Sequence, residues 1–142
     1  MKRTASAIWA GDLKCGKGTL STQSNTLKMV PYSFSMRFED AQGTNPEELI
    51  GAAHAGCFTM ALSGFLSKAG FTATKLETRA DVNLEQVEGN WTVTNIYLHL
   101  KAEVPEITNE KLNEIAIEAK EKCPISRLLK ANISLTTELN NG

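Results

Sequence analysis

The chain has 142 residues, of which 42% are hydrophobic and 22% are charged, a balance typical of one soluble globular domain. Its 15 basic and 16 acidic residues leave a formal net charge of −1, which gives no electrostatic case for nucleic acid or an anionic membrane as a partner. We find no apolar run of bilayer length, and no signal-peptide pattern follows the opening "MKR". We therefore expect a cytoplasmic protein with a single domain over residues 1–142.

The N-terminal third predicts short strands. "TASAIWAGD" and "KGTLST" are two candidates, and "PYSFSMRFED" is a third. In the third segment Tyr32, Phe34, Met36 and Phe38 alternate with polar residues, which predicts a strand with one buried face. Arg37 is then expected on the opposite face.

"GTNPEELI" predicts the start of a helix, with Asn45 as the N-cap, Pro46 at the first helical position and Glu48 completing a capping box. The helix is expected to run to about Lys68, and Gly70 supplies the stop. Its middle is apolar nearly all round, which is typical of a helix buried on several sides. We expect a second subunit to cover part of it.

The remaining segments alternate strand and helix patterns. "TKLETRADVNLEQV" and "WTVTNIYLHLKAEV" predict a hairpin with its turn at residues 88–90. "ITNEKLNEIAIEAKEK" predicts an amphipathic helix, which Pro124 ends before a short helix in "PISRLLKA". "NISLTTEL" predicts a final strand, and residues 140–142 a frayed tail. The fold class is therefore α+β with mainly antiparallel sheets.

The three cysteines are Cys15, Cys57 and Cys123, and the odd count without a C-x-x-C pair argues against a disulfide framework or a zinc knuckle. Cys57, in "GAAHAGCFTMAL", fits either a small buried residue or a reactive thiol. Cys123 directly precedes Pro124, so it is either an incidental thiol at a helix junction or a thiolate favoured by a helix N-terminus. Cys15, in "DLKCGKG", is expected to be a surface thiol.

His54 lies three residues before Cys57 on the same helix face. A hydrogen-bonded helix residue is the favoured interpretation. A metal site formed by His54, Cys57 and Cys123 is an alternative, although a tetrahedral site would need further ligands.

The most specific motifs of the chain are the segments "GTNPEELIGAAHAGCFTMAL" and "CPISRLLKANISL". The segments "WAGDLKCGKGTLST" and "PYSFSMRFED" add to the resemblance that these motifs carry. Over essentially its whole length the chain resembles the OsmC/Ohr family, the osmotically inducible protein C and organic hydroperoxide resistance proteins, and within it the OsmC branch. The resemblance implies an OsmC-like fold and a thiol-dependent peroxidase that uses no cofactor, metal or haem. It implies Cys57 as the peroxidatic cysteine, Cys123 as the resolving cysteine, Arg37 as the residue that holds the thiolate, and Glu47 as the partner of Arg37.

The chemistry of such an enzyme requires a thiolate, which Arg37 is expected to stabilise. Attack on a peroxide yields a sulfenic acid on Cys57, and condensation with Cys123 protects it as a disulfide. An external dithiol, of the lipoyl type by family resemblance, must reopen that disulfide. Five apolar residues are candidates for the wall of a substrate pocket, which would prefer small organic hydroperoxides over hydrogen peroxide. The alternative is that they only form the core, as most of them must; they are Phe34, Phe38, Phe58, Met60 and Leu62.

Along a straight helix, Glu47 and Cys57 are about 15 Å apart at about 1.5 Å per residue. Either the helix breaks near Gly51 or Gly56, or Glu47 serves the Cys57 of a partner chain. The apolar surface favours an intertwined homodimer with a buried central helix. A function of another class, a non-enzymatic thiol sensor or an apolar-ligand-binding module on the same fold, differs in lacking continuous turnover.

Overall fold

The computed structural model describes residues 1–142 and contains six strands and four helices. The strands are β1 (Ala5–Ala10), β2 (Lys17–Thr22), β3 (Val30–Tyr32), β4 (Lys75–Val87), β5 (Asn90–Glu103) and β6 (Asn132–Leu139). The helices are α1 (Phe34–Phe38), α2 (Pro46–Lys68), α3 (Asn109–Lys122) and α4 (Pro124–Leu128). The chain divides into two compact units, residues 1–49 and 50–142. The single domain over residues 1–142 stays a prediction.

The first unit contains a three-stranded antiparallel sheet in the order β1–β2–β3. The structure confirms the first two predicted strands. The sheet register places Gly18 opposite both Trp9 and Tyr32, whose rings contact each other at 5.3 Å between centroids. A side chain at Gly18 would collide with both rings, so the glycine permits this aromatic pair.

The prediction of a strand through "SFSMRF" is wrong, because β3 ends at Tyr32 and α1 follows. The Ser33 hydroxyl caps α1 by accepting the Met36 N–H at 3.3 Å. Phe34 and Phe38 contact each other at 5.0 Å between ring centroids. An i, i+4 pair lies on one face in either a strand or a helix, so the alternation could not distinguish the two. The capping serine was the missed signal.

Helix α2 begins and ends as predicted. Asn45 accepts the Glu48 N–H at 2.8 Å, and Gly70 adopts a left-handed φ of 88° just after the last turn. The Phe71 N–H then bonds to the Leu66 carbonyl at 2.9 Å. The helix is continuous over 23 residues, so there is no break at Gly51 or Gly56.

The second unit contains the sheet β4–β5–β6. The antiparallel β4–β5 hairpin is confirmed, with Glu88 and Gly89 at positive φ in its turn. Strands β5 and β6 are parallel and are connected through α3 and α4. The frayed tail was wrong for Asn140 and Asn141, because their N–H and side-chain oxygen bond to the backbone of Ala102 and Val104 at 2.6 and 2.7 Å.

The core of the second unit lies on one face of β5. It combines alternate β5 residues with one stripe of α2 and one stripe of α3. Its fully buried members include Phe58, Leu62, Leu66, Ile96, Leu98, Leu112, Ala116 and Cys123. The predicted stripe of α3 is confirmed: it is Leu112, Ile115, Ala116 and Ala119.

Helix α2 buries only one face within the chain. Met60, on another face, is 79% exposed, so all-round burial is not achieved by one chain alone. By length and composition α2 also passes as a membrane-spanning helix, which corrects the statement that no apolar run has bilayer length. The core helix of a soluble protein passes the same test.

Candidate active site

The structure brings Cys57 and Cys123 together. The two Sγ atoms are 2.7 Å apart, so the Cys57 and Cys123 thiols are in direct contact. Cys57 projects from α2 and is partly exposed, whereas Cys123 is fully buried. Cys123 joins two helices: its N–H bonds to the Ala119 carbonyl at 2.9 Å, and its carbonyl accepts the Arg127 N–H at 3.1 Å. This junction, enforced by Pro124, aims the buried thiol at α2.

The environment of the Cys57 thiol combines opposing effects. Burial raises the pKa of Cys57, and the hydrogen bond with Cys123 raises it further. The backbone amide of Ile125, in the first turn of α4, donates to Cys57 and lowers its pKa. The sequence left open whether this helix start favours a Cys123 thiolate; in the structure its Ile125 amide acts on Cys57. The net direction is upward, so an additional cation is needed to hold Cys57 as a thiolate.

His54 is fully buried and lies one turn before Cys57 on α2. Its Nε2 and the Ser126 hydroxyl are 2.7 Å apart, so the side chain links α2 to α4. Its Nδ1 has no hydrogen-bond partner. Burial lowers the pKa of His54 from its ordinary value of 6.5, which keeps the imidazole neutral at pH 7.

Arg37 and Glu47 form an ion pair within the first unit. Nε of Arg37 donates to both carboxylate oxygens of Glu47 at 3.1 and 3.2 Å, and Nη2 donates to Oε1 at 2.6 Å. Glu47 is 12% exposed and Arg37 is 37% exposed. The carboxylate therefore fixes the guanidinium through Nε and one Nη, and the remaining N–H groups are left for another ligand.

A cavity of about 250 Å³ lies beside this ion pair in the first unit. Arg37 and six other residues line it: Trp9, Leu13, Tyr32, Ser33, Phe34 and Phe38. Phe34 and Phe38, which we expected in the apolar wall of the substrate pocket, therefore line a cavity beside Arg37. Phe58 and Leu62 instead belong to the buried core of the second unit, which is the alternative that the sequence left open for them.

The other candidates are placed as follows. Cys15 is exposed in a turn, where its N–H bonds to the Asp12 carboxylate at 2.7 Å. The structure contains no group of three or more His, Cys, Asp or Glu side chains arranged to hold a metal ion. His54 Nε2 is hydrogen-bonded to the Ser126 hydroxyl, so the geometry does not support a metal site formed by His54, Cys57 and Cys123.

Comparison with known proteins decides the family. Residues 39–138 match the OsmC-like protein family. The chain belongs to the OsmC-like family. It is 50% identical to peroxiredoxin OsmC of Escherichia coli over 95% of this chain and 94% of the relative. It is 30% identical to an organic hydroperoxide resistance protein of Xanthomonas axonopodis over 68% of this chain and 67% of the relative.

The solved structures agree on the fold. An OsmC-like protein of unknown function from Vibrio cholerae superimposes with a TM-score of 0.76 at 15% identity, covering 96% of this chain and 99% of that one. The predicted OsmC-like α+β fold is therefore confirmed. The OsmC-like chain is a cysteine-based peroxidase, and its long apolar helix α2 is the core helix of a soluble fold.

Sequence reasoning missed the role of α4 in this OsmC-like site. The Ile125 amide and the Ser126 hydroxyl both face α2, but neither residue type marks a site in a linear sequence. The spacing of His54 and Cys57 was the available signal, and it pointed to a shared helix face without naming a partner.

Proposed function

We propose that the protein reduces small organic hydroperoxides to alcohols through Cys57 and Cys123, with an external dithiol as the reductant. The 2.7 Å separation of the two sulfurs carries this proposal, since a pair so placed can form a disulfide without rearrangement of the fold. The family role as a peroxidase supplies the reaction class.

The reaction has three balanced steps. The Cys57 thiolate attacks the peroxide, an S–O bond forms, the O–O bond breaks, and the alkoxide leaves as an alcohol after taking a proton. The Cys123 thiol then attacks the sulfenic sulfur, so that the S–S bond forms and the oxygen leaves as water. Finally, a dithiol reduces this disulfide by exchange and is itself oxidised to a disulfide. We infer a lipoyl-type dithiol and a cytoplasmic location, where thiols stay reduced.

Activation of Cys57 is assigned to Arg37, held by Glu47. Because α2 is one continuous helix, its rise separates the Glu47 and Cys57 positions by about 15 Å. Because Glu47 holds the guanidinium at the far end of this span, we assign the Arg37–Glu47 pair of one protomer to the Cys57 of its partner. This arrangement makes the protein an intertwined homodimer with two sites between subunits. The exposed faces of α2, including Met60, fit burial in such an interface.

The cavity beside Arg37 indicates the substrate class. Its walls are mainly aromatic and aliphatic, and Phe34 and Phe38 belong to the same short helix as the arginine. An alkyl or aryl group gains from burial there, whereas hydrogen peroxide has no group to bury. We therefore expect lower KM values for organic hydroperoxides.

The test is steady-state consumption of cumene hydroperoxide, tert-butyl hydroperoxide and hydrogen peroxide with dihydrolipoamide as the reductant. We expect continuous turnover, with cumene hydroperoxide preferred. Cys57→Ser should abolish it, while Cys15→Ser is the matched cysteine control and should retain it. A single equivalent consumed per chain, without turnover, would instead support the thiol-sensor alternative.

A further inference from the structure

Two links run side by side between α2 and the segment that begins α4. Cys57 contacts Cys123, and one turn earlier on α2 His54 is hydrogen-bonded to Ser126, which is 72 residues away in sequence. Ser126 follows Cys123 by less than one helical turn. The two links therefore tie the same pair of segments together, and only one of them contains sulfur.

The short helix α4 has little else to hold it. It has five residues, and none of them is fully buried. Ile125 packs partly against the core and gives its amide to Cys57. A helix of this length has no stability of its own, so its placement depends on the few contacts that it makes.

His54 is an unusual occupant of its position. It belongs to the buried stripe of α2, between Gly51 and Phe58, where an apolar residue would avoid the cost of burying an imidazole. Ser126 supplies the only hydrogen bond of this side chain, since Nδ1 has no partner. A buried polar pair with a single bond contributes little net stability, which points to a role in placing α4.

We propose that Ser126, held by His54, is a positioning residue for the resolving step, because its hydrogen bond keeps the Cys123 segment registered against α2. The inference rests on the proposed peroxidase cycle. Oxidation converts the Cys57 thiol into a bulkier sulfenic acid and removes the hydrogen bond between the Cys57 and Cys123 sulfurs. The His54–Ser126 bond stays intact at that stage and keeps Cys123 within reach.

The assigned step is the condensation of the Cys57 sulfenic acid with the Cys123 thiol. The S–S bond forms, the S–O bond breaks, and the oxygen leaves as water with the thiol proton. Attack of Cys57 on the peroxide precedes this step and forms no bond to Cys123. Loss of the Ser126 hydroxyl should therefore affect the two steps unequally.

The test measures both steps in single-turnover reactions of the reduced protein with cumene hydroperoxide. Peroxide loss reports the first step, and mapped disulfide after thiol blocking reports the second. For Ser126→Ala we expect peroxide loss within about threefold of the wild-type rate and disulfide formation about tenfold slower, because small misplacements of reacting groups have effects of this size. With excess peroxide, sulfinic acid on Cys57 should increase. Ser126→Thr, which keeps a hydroxyl, should restore the rate.

His54→Leu separates positioning from stability. Leucine suits the buried stripe, so thermal stability should be maintained while disulfide formation slows as in Ser126→Ala. Ser67→Ala, at an exposed serine on α2, is the matched control and should match the wild type in both steps. Wild-type disulfide rates in both Ser126→Ala and His54→Leu, or an equal loss of both steps, would overturn the inference. Failure of the wild type to consume peroxide would instead refute the proposed function itself.

Discussion

Mixing two inactive variants tests whether Arg37 and Cys57 act across the subunit boundary. Arg37→Ala removes the cation and Cys57→Ala removes the nucleophile, so each parent should be inactive. If each site takes Cys57 from one protomer and Arg37 from its partner, a mixed dimer regains one complete site of its two. Random reassociation at equal concentrations makes about half of the dimers mixed, so about a quarter of the wild-type activity should return.

The expectation follows from helix geometry. Glu47 holds Arg37 by contacts of 2.6 to 3.2 Å, and α2 runs without a break from Pro46 to Lys68. Its rise separates the Glu47 and Cys57 backbone positions by about 15 Å, which favours a Cys57 supplied by the partner chain. The assay is cumene hydroperoxide consumption with dihydrolipoamide, after the two variants are unfolded and refolded together. No recovered activity would refute the arrangement in trans.

A second mixture gives the matched control. Wild-type chains are mixed with the double variant Arg37→Ala, Cys57→Ala. In the trans arrangement mixed dimers contain no complete site, and about a quarter of the activity remains in the wild-type dimers. In a cis arrangement each mixed dimer keeps one complete site, and about half should remain. The two mixtures therefore distinguish the arrangements even if refolding yields vary between variants.

Three further predictions concern single residues. Cys123→Ser should complete its first peroxide turnover but accumulate sulfinic acid on Cys57 with excess peroxide, as mass spectrometry would show; an unoxidised Cys57 would contradict the account. Glu47→Gln should lower kcat/KM for cumene hydroperoxide about tenfold, since a neutral amide fixes the guanidinium less firmly, and wild-type kinetics would exclude that role. Burial lowers the native pKa of His54, so the unfolded chain binds its proton more readily. The stability that comes from keeping His54 neutral in the folded chain is fully present above the unfolded-state pKa of about 6.5. It is lost as the pH falls below that value, by up to about 1.4 kcal/mol per pH unit. Urea unfolding from pH 7.5 to 5.5 should show a steeper loss in the wild type than in His54→Leu; equal slopes would count against a buried neutral histidine.

Local signals predicted most of the fold. Helix α2 was bounded by its capping asparagine and its terminal glycine, and both make the expected hydrogen bonds or backbone turn. The hairpin and α3 followed from periodicity and turn residues because these interactions are short in sequence. The error at α1 arose because a pattern of few residues fitted both the period of a strand and that of a helix. Ser33, the N-cap of α1, was the residue that indicated a helix.

The candidate site was only partly accessible to such reasoning. Cys57, Cys123, Arg37 and Glu47 were named through family resemblance, and the structure adds the distances within each pair. The contacts from α4 could not be anticipated, because they join residues far apart in sequence and one of them uses a backbone amide, which every residue except proline possesses.

Disulfide mapping after a single oxidation tests the two-cysteine mechanism most directly. Reduced protein is treated with one equivalent of cumene hydroperoxide, free thiols are blocked, and the digest is analysed by mass spectrometry. We expect a dominant Cys57–Cys123 disulfide within one chain, with Cys15 recovered as a blocked thiol. Recovery of both Cys57 and Cys123 as free thiols, or a disulfide through Cys15, would contradict the two-cysteine mechanism.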